Sequence, residues 1–589
     1  MIQLEQIKSP ADIKSLSIEE LNLLAKNLRE LLIKKVSKRG GHVGPNLGFL
    51  EATIALHYVF DTPEDKIVFD VSHQSYVHKM LTGRINAFLI EDEYGTVSGY
   101  TNPQESEYDL FTIGHTSTAV SLAGGIAKAR DLASGDENVI AVVGDGSLSG
   151  GEAFEGLDFG ATLDSNFIVV VNDNDMSIAE NHGGLYESLR ELRSTNGTSQ
   201  NNYFKTLGWD YKYVAYGNDI KSLIEVFQSV KGSKHPVVVH IATQKGEGYK
   251  PAEANKEEFH FSGPFDIGTG NPMVIDNTPG YDNIFANFML ERMESDKMVC
   301  TVTAGTPGAI GFGPEERKAA GRQFIDVGIA EQEAVALSSG IAKRGGRPVF
   351  GVVSSFLQRA YDQLSQDVAI NGTPVVVNIF YGTISGMTDV THLGWFDIAL
   401  VANIPGWVFF APTCKGEYLS MLDWAISQTE YPVAIRVPGT TVTESERSFP
   451  TDYSSILDKY EIVSKGSGEV AIIAAGSMLA LGQSTVNILA QEGINATLIN
   501  PRNLAATDTS LLIEMAKNGA KTVVTIEDGC LDGGFGEKIA RFYAEEGSPK
   551  VKCYGLPKEF KDRYKPSALM KESRMEPQLI AEDIMSMLG

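Results

Sequence analysis

Two kinds of pattern alternate along the chain. The stretch "IEELNLLAKNLRELLIKKVSK" places apolar residues at helical spacing and predicts an amphipathic helix over 18–38. The runs "KIVFDV", "NVIAVVGDG", "NFIVVVNDN" and "PVVVHIATQ" are short, β-branched and continuously apolar. Such runs read as strands of a parallel sheet covered on both faces. Helical stretches separate them, which predicts a doubly wound α/β fold. The segment "HFSGPFDIGTGNPMVIDNTPG", 260–280, is rich in Gly, Pro and Asn and reads as a linker. A second unit follows, with the strand-like "RPVFGVV" and the helix-like "AEQEAVALSSGIAKRG". The polar "TTVTESERSFPTDYSS" reads as a second boundary, and "EVAIIAAGS", "NATLINPRN" and "KTVVTIEDG" predict strands of a third unit. Three consecutive α/β domains are therefore expected, over 1–270, 275–443 and 456–589.

Charge narrows the function classes. Acidic residues outnumber basic ones 75 to 50, a formal charge of −25 over 589 residues. A nucleic-acid binder needs a basic face, and anionic membranes repel an acidic surface. No apolar run approaches the roughly 18–20 residues of a membrane span. The four cysteines, Cys300, Cys414, Cys530 and Cys553, show no pairing logic, and the N-terminus carries no apolar signal core. A cytoplasmic protein acting on small molecules is expected.

The chemistry starts at strand ends. "VVGDGSLSGG" puts Gly144, Asp145 and Gly146 after one predicted strand, and "VVVNDNDMSIAEN" puts Asn174 after the next. In open α/β sheets, ligands bind at the carboxyl ends of strands. One carboxylate (Asp145), one amide oxygen (Asn174) and a backbone carbonyl near Met176 form an oxygen set suited to Mg²⁺, which keeps water and phosphate oxygens as its other ligands. Gly146, Ser147 and the start of the following helix offer N–H groups to a diphosphate. Gly-Asp-Gly alone reads as an ordinary turn; the pair of strand ends gives it meaning. This arrangement resembles the metal–diphosphate motif of thiamine diphosphate enzymes.

The resemblance extends over all three domains. "GGHVGPNLGFLEATIALHYVFDTPEDKIVFDVSHQSYVHKMLTGR", "YDLFTIGHTSTAVSLAGGIA", "KGEGYKPAEANKEEFH", "VGIAEQEAVALSSGIA", "SFLQRAYDQLSQDVAI" and "THLGWFDIALVANIPG" resemble the 1-deoxy-D-xylulose-5-phosphate synthase branch of the transketolase-like enzymes. It implies a diphosphate-binding domain, a pyrimidine-binding domain and a smaller C-terminal domain, in that order, with thiamine diphosphate and Mg²⁺ as cofactors and a homodimeric assembly. Glu331 matches the family glutamate that hydrogen-bonds the pyrimidine; a buried carboxyl with a raised pKa can hold that proton. Phe356 matches an aromatic that stacks on the pyrimidine. His42, His73 and His260 match histidines near the reactive carbon, and His392 a further one. His115, Thr116 and Ser117 match the stretch beside the diphosphate, with Lys245 as a further phosphate contact. Taken singly, His42, His73 and His260 read more often as structural than as catalytic, Phe356 as core packing, the 115–117 stretch as a capped turn, and Lys245 equally well as a solvated lysine. The implied reaction decarboxylates pyruvate and condenses the remaining two-carbon unit with D-glyceraldehyde 3-phosphate.

The chain departs from the family on the acceptor side. Tyr381 and Gly439 stand where two phosphate-binding arginines are expected, Val353 replaces a tyrosine, Thr388 an aspartate beside Asp389, and Glu333 a histidine. The segment after "MSIAEN" is also shorter than in typical members. Two losses of charge-assisted contacts, at roughly 1.5–3 kcal/mol each, weaken phosphate binding. Arg359 and Arg436 are the candidate substitutes. A paralogous enzyme with another, unphosphorylated aldehyde or another donor is the alternative. A lipoyl-dependent 2-oxoacid dehydrogenase component and a non-catalytic cofactor binder are the more distant readings.

Overall fold

The computed structural model describes residues 3–276 and 278–589, with Glu546 as backbone only; Asn277, inside the expected linker, lies outside them. By compactness the chain divides into two units. One runs to residue 277 and takes in 328–330; the other holds 278–327 and 331–589.

The first unit is built on a parallel sheet of β1 (Lys66–Phe69), β2 (Val139–Gly144), β3 (Ile168–Asp173), β4 (Asp210–Val214) and β5 (Val237–Ala242), in the order β1-β2-β3-β5-β4. The continuous apolar runs are explained by two cores. Ile140, Val142, Ile168 and Val170 face one, while Ala141, Val143, Val169 and Val171 face the other. The predicted first helix spans Ile18–Arg39, opened by a Ser17–Glu20 capping box. The stretch expected as a linker is packed down in its first half. Phe265 is buried against Tyr249 and Phe259, its N–H donates to the Ser37 carbonyl, and Ser262 bridges to Gly41. One buried ring, Phe265, anchors the segment despite its turn-forming composition.

The second unit carries two sheets. The first is wholly parallel: β6 (Val299–Thr303), β7 (Phe324–Asp326), β8 (Arg347–Val353), β9 (Val376–Phe380), β10 (Val408–Phe410) and β11 (Val433–Arg436), ordered β10-β11-β9-β8-β6-β7. The other comprises β12 (Glu461–Ser464), β13 (Val470–Ala474), β14 (Thr497–Asn500), β15 (Thr522–Cys530) and β16 (Lys550–Leu556), ordered β12-β14-β13-β15-β16. In it only β12 runs antiparallel, against β14. One apolar core serves both sheets: Phe350, Val377 and Phe409 pack in it together with Ile473, Val523 and Phe535. No helix among the described residues is long and apolar enough to cross a membrane.

Candidate functional site

The first unit gathers its chemistry at the carboxyl ends of β1, β2 and β3. Asp145, directly after β2, is buried; its Oδ2 accepts hydrogen bonds from the Met176 N–H at 3.1 Å and from Asn181 Nδ2 at 2.7 Å. Burial, reinforced by the charge of Asp173, pushes its pKa up. The side-chain oxygens of Asn174 and Asn181 are buried without a hydrogen-bond partner among the described residues. An under-neutralised carboxylate beside two orphaned amide oxygens fits a small hard cation, which takes oxygen donors. The neighbouring Asp173 is committed elsewhere. Its two oxygens share one Arg193 nitrogen, Nη1, at 2.7 Å each, and it pairs with His240 at 2.8 Å, so its carboxylate is structural. Met176 meets Asp145 through its N–H, a bond that leaves its carbonyl, the atom expected at the metal, uninvolved. Asn181 was missed by the sequence reasoning, though it closes the same "NDNDMSIAEN" run.

The glycines expected at the diphosphate have a steric reason. A Cβ on Gly146 would stand 2.9 Å from the Ser177 side chain, so only glycine lets the two loops meet. The neighbouring loop is organised by a residue absent from the expected set. Asp70, after β1, accepts N–H bonds from Ser117 and Thr118 at 2.8 Å and from Ala119 at 3.0 Å. It thereby caps the helix Ala119–Ala133 and shapes the His115-Thr116-Ser117 turn, where Ser117 holds a left-handed φ of 73°. Ser117 Oγ donates to the Ser147 carbonyl at 2.8 Å, binding this turn to the loop after β2.

Three of the expected histidines come together. The ring centroids of His42 and His73 are 5.0 Å apart, those of His73 and His260 5.1 Å, and those of His42 and His260 5.8 Å. Asn46, also unforeseen, fixes two of them by donating to the carbonyls of His42 and His73. Burial first, then the neighbouring cation and imidazoles, hold His73 and His260 well below the ordinary histidine pKa. They are neutral imidazoles, able to accept or donate one proton. Lys245 is buried beside them, donating to the Ser177 carbonyl at 2.6 Å, and burial lowers its pKa to about 8.

In the second unit, Glu331 is the first residue of the helix Glu331–Lys343 and is 2% exposed. Burial raises its pKa, against the pull of Arg359, whose guanidinium lies 3.4 Å away. Burial of this kind favours the protonated form, which is able to donate a hydrogen bond. Phe356 and His392 meet edge to face at 5.5 Å, and His392 Nδ1 lies 3.0 Å from Asp389. The position expected to carry a histidine, Glu333, is exposed.

The acceptor-side departures have structural consequences. Tyr381, at a left-handed φ of 58°, turns onto the core of Tyr281, Phe285 and Tyr418. Gly439, at φ 115°, faces the hydroxyls of Thr383 and Ser385, which lie 3.2 Å apart. One expectation is corrected. Arg436, considered a substitute phosphate ligand, is buried and ion-paired with both Asp397 and Asp528, and it donates to the Gly382 carbonyl as well. Its donors are consumed inside the fold.

Three family models match stretches of the chain. The family model for 1-deoxy-D-xylulose-5-phosphate synthase matches residues 4–203. Those for the transketolase pyrimidine-binding and C-terminal domains match 278–443 and 458–580. A 1-deoxy-D-xylulose-5-phosphate synthase of Symbiobacterium thermophilum is 38% identical over 628 residues, covering 99% of this chain and 94% of its own. Those of Pelotomaculum thermopropionicum and Syntrophomonas wolfei are each 38% identical, covering 95% and 99% of this chain and 92% and 96% of their own.

Proposed function

The chain belongs to the 1-deoxy-D-xylulose-5-phosphate synthase family, and we propose that it converts pyruvate and D-glyceraldehyde 3-phosphate into 1-deoxy-D-xylulose 5-phosphate and CO₂. The same reading makes 1–270 the diphosphate and metal domain, 275–443 the pyrimidine domain and 456–589 the C-terminal domain of a cytoplasmic homodimer. Phe154 and Phe159, 47% and 51% exposed on the helix Gly151–Gly160, are apolar side chains available to a second copy.

Thiamine diphosphate supplies, when bound, an acidic carbon that adds to a keto group and stabilises the charge left when CO₂ departs. Asp145 and Asn174, with Asn181 beside them, are the oxygen donors for Mg²⁺; Gly144, Gly146 and Ser147, with His115, Thr116 and Ser117, form the turns that border the diphosphate. Lys245 brings the one buried ammonium of this cluster. Glu331 carries the proton for the pyrimidine nitrogen. His42, His73 and His260, the last two held neutral by burial, are the groups that move protons on substrate oxygens, the task for which imidazole suits neutral pH. The observation that carries the reading is Glu331: a carboxyl buried at the head of a helix, its pKa raised by burial, suits what the cofactor's activation requires. The test is CO₂ release from pyruvate with and without D-glyceraldehyde 3-phosphate. Acceleration by the aldehyde supports the reading; indifference to it removes the acceptor.

A second reading, an unphosphorylated aldehyde as acceptor, is favoured by the commitment of Arg436 to Asp397 and Asp528 and by Tyr381 and Gly439 at the arginine positions. Comparing D-glyceraldehyde with its 3-phosphate at equal concentration separates the two.

A further inference from the structure

The three residues preceding Glu331 belong, by compactness, to the first unit, while Val327 and Glu331 belong to the second. One side chain holds them there. Ser149 Oγ accepts the Ile329 N–H at 2.9 Å and donates to the Gly146 carbonyl at 2.9 Å. A single hydroxyl thus joins the loop that carries Asp145 to the backbone two residues before Glu331. The backbone packs closely on one side of this half-buried residue. Gly328 has a left-handed φ of 77°, and a Cβ there would stand 3.0 Å from Ser149 Oγ and 3.3 Å from the His182 carbonyl. A Cβ on Gly150 would stand 2.2 Å from Ser117 Oγ and 3.4 Å from the Ile329 carbonyl. The Ala330 N–H closes a tight turn onto the Gly328 carbonyl at 2.8 Å. Glycines on both sides of the contact permit an approach that any side chain would block.

We infer that Ser149 is a positioning residue: its hydroxyl ties the main chain leading into Glu331 to the metal–diphosphate loop. The inference rests on the proposed thiamine diphosphate chemistry, in which the carboxyl of Glu331 must be held to a fraction of an ångström. Ser149 touches neither substrate nor the reacting carbon. It acts by fixing φ and ψ of Gly328 to Ala330, so ordering of the loop at Asp145 and Gly146 is transmitted along the chain to the next residue. The hydroxyl is needed in both directions, as acceptor and as donor. Alanine therefore loses both bonds, while threonine keeps them.

The test compares Ser149→Ala and Ser149→Thr with the unaltered protein in two measurements. The first is amide hydrogen exchange of the cofactor-free protein, read on a peptide covering 328–331. Ser149→Ala speeds exchange there by roughly tenfold, the loss of about one hydrogen bond, and leaves the β13–β15 strands unchanged. The second is exchange of the C2 proton of bound thiamine diphosphate with Mg²⁺, followed by NMR without any substrate. Ser149→Ala slows it on the order of 10²-fold, the cost of a small misplacement, at nearly unchanged cofactor affinity. Ser149→Thr restores both. Unchanged amide exchange in Ser149→Ala overturns the tether, and unchanged C2 exchange overturns its role in positioning. If the unaltered protein binds no thiamine diphosphate, the proposed function fails and the positioning role with it, while the amide measurement still decides the tether.

Discussion

Lys245 Nζ lies 3.2 Å from Nδ1 of His260. A buried ammonium therefore faces a neutral imidazole, and its charge helps keep that imidazole from protonating. Burial leaves Lys245 with a pKa of about 8, so its charge is present below that pH and disappears as pH rises through it. An anion bound beside it favours the ammonium, and binding above pH 8 takes up a proton. Affinity for thiamine diphosphate is thus expected to be flat below about pH 8 and to fall toward tenfold per pH unit above it. In Lys245→Arg the fall is absent over the same range, because guanidinium stays charged. Calorimetric titration from pH 6.5 to 9.5 checks this; parallel curves for the two proteins contradict it.

Glu331 is expected to act through its proton. Glu331→Gln retains a hydrogen-bonding group but loses the titrating one, and Glu331→Ala loses both. The C2 proton exchange of bound thiamine diphosphate should slow by about 10²–10⁴-fold in either variant. Cofactor binding persists, since Glu331 is remote in function from the diphosphate. Exchange at the unaltered rate in Glu331→Gln would remove the residue from the chemistry.

Much of this arrangement was legible in the chain, and the rest was hidden for identifiable reasons. Val142–Val143 and Val169–Val171 are apolar on successive residues because the sheet is covered on both faces, and so the strands carrying Asp145 and Asn174 stand out. Two edge strands, β4 and β12, do not. In β4, Asp210–Val214, polar residues alternate with half-buried ones, and β12 is half-exposed and antiparallel. Their identity is set by the neighbouring strand more than by their own composition. Asp70, Asn46 and Ser149 were invisible because their partners lie far along the chain. Asp70 gathers the amides of 117–119, Asn46 reaches His73, and Ser149 meets Ile329. The ion pairs of Arg436 were hidden in the same way. Sequence spacing brings it no carboxylate, whereas the fold brings Asp397 and Asp528.

Arg436 is accordingly a structural residue. Burial raises the pKa of its partner Asp397 to about 6 even with the guanidinium beside it, which shows how fully the group is withdrawn from water. Arg436→Met strands two buried carboxylates and is expected to cost about 3–5 kcal/mol of stability. Chemical denaturation measures it. The KM for D-glyceraldehyde 3-phosphate, relative to that for D-glyceraldehyde, should stay unchanged in whatever fraction remains folded. A selective rise for the phosphorylated aldehyde would return Arg436 to the acceptor site.

Asn181 is expected to matter for the metal. Asn181→Ala removes the amide that meets Asp145 and leaves the carboxylate without its side-chain donor. Mg²⁺ affinity, read by titrating the metal into protein holding thiamine diphosphate, should fall by about 10–100-fold, while Asn181→Asp, adding charge, should retain most of it. An unchanged affinity in Asn181→Ala would assign the residue to loop packing alone.

The most direct measurement follows [2-¹³C]pyruvate by NMR in the presence of the protein, thiamine diphosphate, Mg²⁺ and D-glyceraldehyde 3-phosphate. The account predicts that the labelled carbon becomes the ketone carbon of 1-deoxy-D-xylulose 5-phosphate, with one CO₂ released per molecule of product. Label that remains in pyruvate, or that reaches a ketose only when D-glyceraldehyde replaces its 3-phosphate, would contradict it.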